Sequence, residues 1–523
     1  MATSSQFYTK GGYFMNNWSN GYVSEIDYTY GYYSELSSTK MQYALLNAGI
    51  TPPEVINACE LGFGQGISTN IHATTSNVNW FGTDFNSAQA AFAAELSAVG
   101  KNRAKLFDNS FEEFCKRDDL PSFDFICLHG IWSWISDSQR KIIVDFIDAK
   151  LNVGGVVYIS YNTLPGWSHV APLRQLMKQH TNTFGSAGSG IKNNIRNAIE
   201  FTEKLFEAKS GYTESAVNAK VSFDNMKDKD IHYLAHEYFN EDWEPMYYEQ
   251  VKSRLAPAKL EFACSANHAD SIDLLNLTPE HQDILNSISD NNFKESLRDF
   301  LINQNFRKDY WVRGRRNISD FEKAQKLSQT KITLLSEPES IPFTVNGRVG
   351  KADLNKDIYE PIISALSDYK VHTISSLMER EDISHLQFST VNEAINVLLS
   401  SSAISIVNKE VSDLKKVKSL NKYLINLARS KGNMAYLCSA LTGSGLAVDR
   451  FKQLFLLALR DGDKSAEELS KFAWEVLKDQ GQTIVKDNKS LVTDEENLAE
   501  LKERAIVFLN GDLNNLRRHH IHQ

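Results

Sequence analysis

Between residues 55 and 161 the chain alternates short apolar runs with helical segments, and no other feature narrows the fold as much. The runs are VINACEL (55–61), NWFGTDF (79–85), AKLFDNS (104–110), FDFICLHG (123–130) and GGVVYISYN (154–162). The helical segments fall at 67–73, 87–99, 111–117 and 138–151. Strands in alternation with helices predict βαβ units and a parallel sheet. Past about residue 173 the strand signals thin out. Residues 173–340 read as mostly helical, with a Gly/Ser loop at 184–190, and Pro338 and Pro342 suggest a boundary. Residues 355–523 again read as mainly helical. Short alternating pieces there, AISIVN (403–408) and QTIVKDN (482–488), suit wing-like hairpins. The tail RRHHIHQ (517–523) reads as a solvated terminus rather than a metal site, since no partner ligands flank its histidines.

Ahead of the alternating region, residues 1–40 are rich in tyrosine: Tyr8, Tyr13, Tyr22, Tyr28, Tyr30, Tyr32 and Tyr33. That is no linker composition, and it predicts an ordered cap or a partner-binding arm. The whole length of 523 residues suggests roughly three domains. A net charge of −9 supplies no global basic field for nucleic acid. The five cysteines are scattered and form no CxxC pair, which argues against a zinc site or a disulfide framework and for a reducing compartment. No run of about 18 apolar residues occurs, so membrane insertion is not expected. The first residues lack the layout of a signal peptide, and the expected location is the cytoplasm.

The chemistry concentrates at the ends of the apolar runs. ELGFGQG (60–66) closes the first run and opens a helix. Its glycines, Gly62, Gly64 and Gly66, allow a sharp turn and a close approach of backbone to a ligand. The spacing is G-x-G-x-G, not the G-x-G-x-x-G of dinucleotide enzymes. Asp84 ends the second run, where an acidic side chain can accept both hydroxyls of a ribose. Phe85 follows and can pack on an adenine. Asp108, Asn109 and Ser110 end the third run, and His129 and Gly130 the fourth. Singly, each has a structural explanation, since Asp84 or Asp108 can cap the next helix. Four strand ends in order, each with a suitable residue type, point to a nucleoside cofactor.

E-x-G-x-G-x-G at 60–66 resembles the first motif of class I methyltransferases. More specifically, the chain resembles bacterial methyltransferases that carry a methyltransferase regulatory domain behind a class I catalytic domain. The resemblance rests on ELGFGQG (60–66), LHGIWSW (128–134), YNTLPGW (161–167), HYLAHEYFNEDWEPMYYEQV (232–251) and FLINQNFRKDYWVRG (300–314). YNTLPGW is the most family-specific string. The best-known members are rickettsial protein-lysine methyltransferases acting on outer-membrane proteins. The resemblance implies an α/β fold: a Rossmann-like methyltransferase domain followed by mostly helical middle and C-terminal domains. The expected divisions are a cap at 1–45, a cofactor-binding domain at 46–180, a regulatory domain at 181–340 and a C-terminal domain at 341–523. The implied cofactor is S-adenosylmethionine, leaving as S-adenosylhomocysteine, with no metal. Glu60 would order the loop and the amino end of the cofactor, and the glycine loop would pass under its methionine part. Asp84 would take the ribose. Asp108, Asn109 and Ser110 would meet the adenine, and His129 and Gly130 would lie under the sulfonium. A homodimer is also compatible with the resemblance.

The acceptor is less determined. Methyl transfer from a sulfonium is an in-line displacement, so the enzyme supplies alignment, exclusion of water and a deprotonated acceptor. Aromatic faces attract both a sulfonium and an ammonium. Trp132, with Trp134 and Trp167 nearby, would therefore line the acceptor pocket. Tyr161 and Asn162 would accept from an amine and orient its lone pair. His129 reads as a cofactor contact rather than a base. His232 and His236 lie four apart, a spacing that can pair on a metal. Glu237 follows the second histidine, unlike H-E-x-x-H, and the stretch reads as a packed helix. The first expected activity is lysine N-methylation of a protein. The alternative is methylation of a sugar or other small molecule of surface polysaccharide. A non-catalytic module of the same fold is disfavoured by the intact motifs. Nucleic-acid methylation is disfavoured because no D/N-P-P-Y/F motif follows the fourth run.

Overall fold

The computed structural model describes residues 30–522, apart from 409–411, 463 and 488. The expected N-terminal cap is thus described only from Tyr30 onward, and Tyr8, Tyr13, Tyr22 and Tyr28 lie outside the described residues. The five apolar runs form β1 (Asn57–Leu61), β2 (Asn79–Thr83), β3 (Lys105–Phe107), β4 (Phe123–Leu128) and β5 (Leu151–Asn162). Helix α1 (Ser38–Asn47) precedes them. Between them run α2 (Ile67–Thr75), α3 (Ser87–Gly100), α4 (Phe111–Cys115) and α5 (Asp137–Lys150). Side-chain caps set the helix starts. Asn86 accepts from the Ala88 and Gln89 amides, Ser110 and Glu113 form a reciprocal capping box, and Ser136 accepts from Gln139.

The strand interiors are mostly apolar because both faces are covered. Successive residues of β4 serve opposite cores. Phe123, Ile126 and Leu128 pack with Phe114 of α4 and Ile143 and Ile147 of α5, while Phe125 and Cys127 pack with Met41 and Leu45 of α1. β5 divides the same way, with Val157, Ile159 and Tyr161 on the α5 side and Val156 and Tyr158 on the α1 side.

Two further strands, β6 (Leu260–Ser265) and β7 (Phe306–Arg313), complete a seven-stranded sheet of order β3-β2-β1-β4-β5-β7-β6. β1 to β5 are parallel, and β7 runs antiparallel to β5 and β6. The α/β, Rossmann-like reading holds. The helical reading of 173–340 misses these two strands. FRKDYWVR does not look like a buried strand because Arg307 and Asp309 interrupt it. Both are buried, and they are matched there. Arg307 Nε donates to Asp309 at 2.8 Å, and its other nitrogens pair with Asp299 at 2.8 Å and Glu295 at 2.9 Å. A charge that meets its partner inside costs far less to bury than one alone.

Strand order reverses between β1 and β4, so their carboxyl ends open a crevice, the usual ligand position in such sheets. Helices α6 (Ala171–Phe184), α7 (Gly190–Glu207), α8 (Gly211–Ser215), α9 (Val217–Lys227) and α10 (Ile231–Tyr238) share a separate core around Leu173, Met177, Ile195, Phe223 and Leu234.

Two C-terminal lobes follow. In the first, Ile404–Ile406 pairs with Lys331–Leu334 in a three-stranded sheet, so AISIVN is a single strand and not a hairpin. In the second, Val485–Lys486 does pair with Lys489–Ser490. The core of this lobe, with Leu424, Leu454, Phe455 and Phe508, takes in Ile67 and Ile71 of α2 and Leu96 of α3. The tail is not solvated as expected. His519 is buried, its Nδ1 lies 2.7 Å from Ser439 Oγ, and its carbonyl accepts from the Ala440 amide. Among the described residues no helix is long and apolar enough to cross a membrane.

Candidate active site

The loop after β1 turns back on itself at three glycines, with φ of +77° at Gly62, +57° at Gly64 and +69° at Gly66. L side chains rarely adopt this conformation. Packing adds a second demand at two of them. A Cβ at Gly62 would sit 2.5 Å from Ile131 Cδ1, and one at Gly66 would sit 2.4 Å from the Cβ of Ala93. Gly64 differs, since a Cβ there would meet nothing closer than Gln89 Oε1 at 3.9 Å. Gly130, at φ +65°, would have nothing within 4 Å. Gly64 and Gly130 border the same cavity of about 350 Å³, so these two positions form a cradle that side chains would obstruct.

Asp84 braces the loop from β2. One carboxylate oxygen accepts from the Gly64 amide at 2.8 Å, the other from Asn86 at 3.0 Å. Burial raises its pKa to about 6, although both amide hydrogen bonds favour the charge. Glu60 lies beneath the loop and accepts from Thr69 Oγ1. Burial pushes its pKa up to about 8, and the Asp84 charge acts in the same sense. From β4, Gly130 donates its amide to Ser160 Oγ at 2.7 Å. His129 Nδ1 lies 2.9 Å from the Tyr158 hydroxyl, and its ring stacks on Tyr33 with centroids 3.4 Å apart. Burial lowers the pKa of His129 to about 3, so the imidazole is neutral at physiological pH.

The strand ends expected to act together do converge. Gly62, Gly64, Asp84, Phe85, Asn109, Ser110, His129 and Gly130 all line this cavity. Three of the other cofactor candidates do not. Glu60 and Gly66 support the loop from behind. Asp108 points to solvent and accepts from Ser87 Oγ at 3.3 Å, leaving Asn109 as the lining residue at the end of β3.

The three acceptor candidates, Trp132, Tyr161 and Asn162, lie outside this cavity. Tyr161 is buried in the sheet core and donates its hydroxyl to Asp309 at 2.9 Å. Asn162 is buried, with its amide donating to Ser133 Oγ at 2.9 Å. Trp132 is wholly buried against α5, and its carbonyl accepts from Arg140. Of the neighbouring tryptophans, Trp134 lines the cavity. Trp167 packs on Tyr238 and Trp243 instead.

The opposite wall comes from α10 and the turn after it: His236, Glu237, Asn240 and Asp242. His236 and Glu237 belong to the stretch expected to be a packed helix. His232 and His236 in fact serve different places, since His232 meets Lys192 of α7 at 3.3 Å while His236 lines the cavity. The wall is held to the sheet by backbone. Glu244 donates its amide to the Ser133 carbonyl at 2.8 Å, and Met246 to Asn162 at 3.0 Å. Arg174 of α6 donates to the Asn240 carbonyl at 2.8 Å and lies over the Trp243 ring. Gly31 and Tyr33 close a further side, a contribution the tyrosine-rich composition hinted at without locating. Three carboxylates, Asp84, Glu237 and Asp242, line the cavity, and among the described residues no lysine or arginine does. The site therefore suits cationic ligands.

Residues 230–313 match the family model described as "Predicted methyltransferase regulatory domain". Most of that wall, with β6 and β7, thus falls inside the matched domain. The uncharacterized protein sll1526 of Synechocystis is 36% identical over 506 residues, 95% of this chain and 97% of its own. The uncharacterized protein RP789 of Rickettsia prowazekii is 25% identical, over 72% of this chain and 70% of its own. The structure of PKMT2 from Rickettsia typhi in complex with AdoHcy shares the fold, with a TM-score of 0.68 and 18% identity over 94% of this chain and 99% of that one. The chain belongs to the same family as the Synechocystis protein, carries the methyltransferase regulatory domain at residues 230–313, and shares its fold with PKMT2.

Proposed function

We propose that this protein transfers methyl groups from S-adenosylmethionine to lysine side chains of a protein substrate. The observation that carries the reading is the charge of the cavity: three carboxylates, an aromatic wall at Trp134 and Phe85, and no lining lysine or arginine among the described residues. A sulfonium and an ammonium are both cations, and both are favoured by such walls. In this assignment Asp84 accepts from the ribose hydroxyls, Asn109 and Phe85 meet the adenine, and Gly62 and Gly64 pass under the methionine part. His129, being neutral, adds no positive charge beside the sulfonium. The AdoHcy named with PKMT2 supports the choice of cofactor.

A second reading has its own support. The regulatory domain roofs the cavity with His236, Glu237 and Asn240, and a covered pocket suits a small acceptor such as a sugar. One experiment separates the two. Labelled S-adenosylmethionine is offered to total protein and, separately, to polysaccharide from the source cell. Label in protein that maps to lysine supports the first reading, and label confined to the glycan replaces it with the second.

A further inference from the structure

We propose that Glu237, carried on α10 of the regulatory domain, is a catalytic residue that holds the acceptor ammonium and takes its proton before methyl transfer. The inference rests on the methyltransferase reading above and deepens it. The regulatory domain would then supply part of the chemistry and not only a scaffold.

Position comes first. Glu237 lines the same cavity as His129 and Gly130, the residues at the end of β4, with Trp134 and Asp242 beside it. It is half-buried, yet no hydrogen bond or ion pair engages its carboxylate among the described residues. Two neighbouring acidic groups, Glu244 and Glu241, are committed elsewhere. Glu244 pairs with Arg140 and Arg254, and Glu241 with Lys178. The Arg174 guanidinium attracts Glu237 without pairing with it, being engaged with the Asn240 carbonyl and Trp243. Tyr233 and Tyr238 on the same helix are the other titratable groups that feel its charge. His129, Asp84, His236 and Asp242 line the same cavity. A half-buried carboxylate left unpaired in a cavity is costly unless a ligand matches it.

His129 and Tyr161 are weaker candidates for a proton acceptor. His129 is held neutral and its Nδ1 is occupied by Tyr158. Tyr161 is tied to Asp309 away from the cavity. Burial raises the pKa of Glu237 to about 7, against the attraction of Arg174, which suits proton exchange near neutrality. The step balances as follows. The ammonium N–H bond breaks and the proton passes to the Glu237 carboxylate, leaving a neutral amine. The nitrogen lone pair forms the new N–C bond as the C–S bond breaks, and the electron pair of that bond stays on sulfur. The product is a methylammonium and a neutral thioether, and Glu237 then returns its proton to solvent.

The test compares wild type with Glu237→Gln, Glu237→Asp and Glu237→Ala, using protein extract of the source cell as the acceptor pool. S-adenosylhomocysteine affinity by calorimetry and thermal midpoint are read beside activity. We expect Glu237→Gln to keep its cofactor affinity and folding while kcat/KM falls a hundredfold or more. The acidic limb of the wild-type pH profile, near 7, should vanish with it. Glu237→Asp should restore part of the rate, and added formate should rescue Glu237→Ala. A Glu237→Gln variant with wild-type turnover and the same acidic limb overturns the proposal while leaving the methyltransferase reading intact. A wild type that neither binds S-adenosylhomocysteine nor transfers label overturns both.

Discussion

The end of the cavity assigned to the cofactor rests on consecutive strand ends, whereas the end assigned to the acceptor is assembled from distant segments. Gly62, Asp84 and Asn109 follow β1, β2 and β3 in order, each strand hydrogen-bonded to its neighbour. Their positions are consequences of sheet register, for example Leu61 opposite Thr83 and Thr83 opposite Phe107. The other wall instead combines Tyr33, Trp134 and Glu237, which are joined only by tertiary contacts. The first end is placed by the register of a parallel sheet. The second depends on how a helical domain settles on that sheet, and it is where relatives of one fold can differ in substrate.

The largest effect that can break this contrast is expected at Asp84. Asp84→Ala removes a charged acceptor and should weaken S-adenosylhomocysteine by about 1.5–3 kcal/mol. Unchanged affinity in calorimetry would take the ribose away from β2. Next is Tyr161→Phe, which tests whether Tyr161 belongs to the core or to the acceptor. Loss of its hydrogen bond leaves Asp309 with Arg307 alone and should cost about 1–3 kcal/mol of stability in urea unfolding, with turnover unaltered. Reduced turnover at full stability would return Tyr161 to the acceptor side.

Gly130→Ala should cost about 1 kcal/mol of stability from its φ of +65°, since no atom stands in the way of the methyl. That methyl projects into the cavity, so S-adenosylhomocysteine should also bind more weakly. Full affinity would mean that the ligand does not pass over β4.

The smallest effect is protonic. The pKa of Asp84 is raised to about 6 by burial, so between its ordinary value and about 6 the folded protein holds a proton that the unfolded chain has released. Its contribution therefore disfavours folding above about 6 and fades as pH falls through that window. Ribose hydroxyls favour the ionised form. Cofactor binding should release part of a proton near pH 6, seen as a buffer-dependent enthalpy, and affinity should fall on acidification. Proton uptake on binding would contradict the assignment.

Much of the cofactor end was legible because its signals are contiguous. ELGFGQG contains the turn, the strand end and the helix start within seven residues. The register of single side chains was less so. At Asp108 and Asn109 the strand-to-helix loop decides which of two adjacent polar residues faces in, and neither composition nor spacing encodes that choice. Tyr161 illustrates the same limit inside a strand. Alternation along β5 puts it with Ile159 in the α5-side core, and its partner Asp309 lies on β7. β7 itself was hidden because Arg307 and Asp309 read as surface residues until Asp299 and Glu295 arrive to complete the network. The tail was misread for a similar reason. His519 and Ile521 look solvated in isolation, but the strand Tyr436–Ser439 and the helices beside it bury them.

By itself, then, the sequence determined the parallel sheet, the glycine turn and the acidic strand end, since each arises from local backbone preference and from apolar runs long enough for one strand. Only the tertiary structure decided which side chains complete the cavity beyond the strand ends. Glu237 comes to the cavity through backbone hydrogen bonds, the Glu244 amide donating to the Ser133 carbonyl and the Met246 amide to the Asn162 carbonyl, between segments that no local preference brings together.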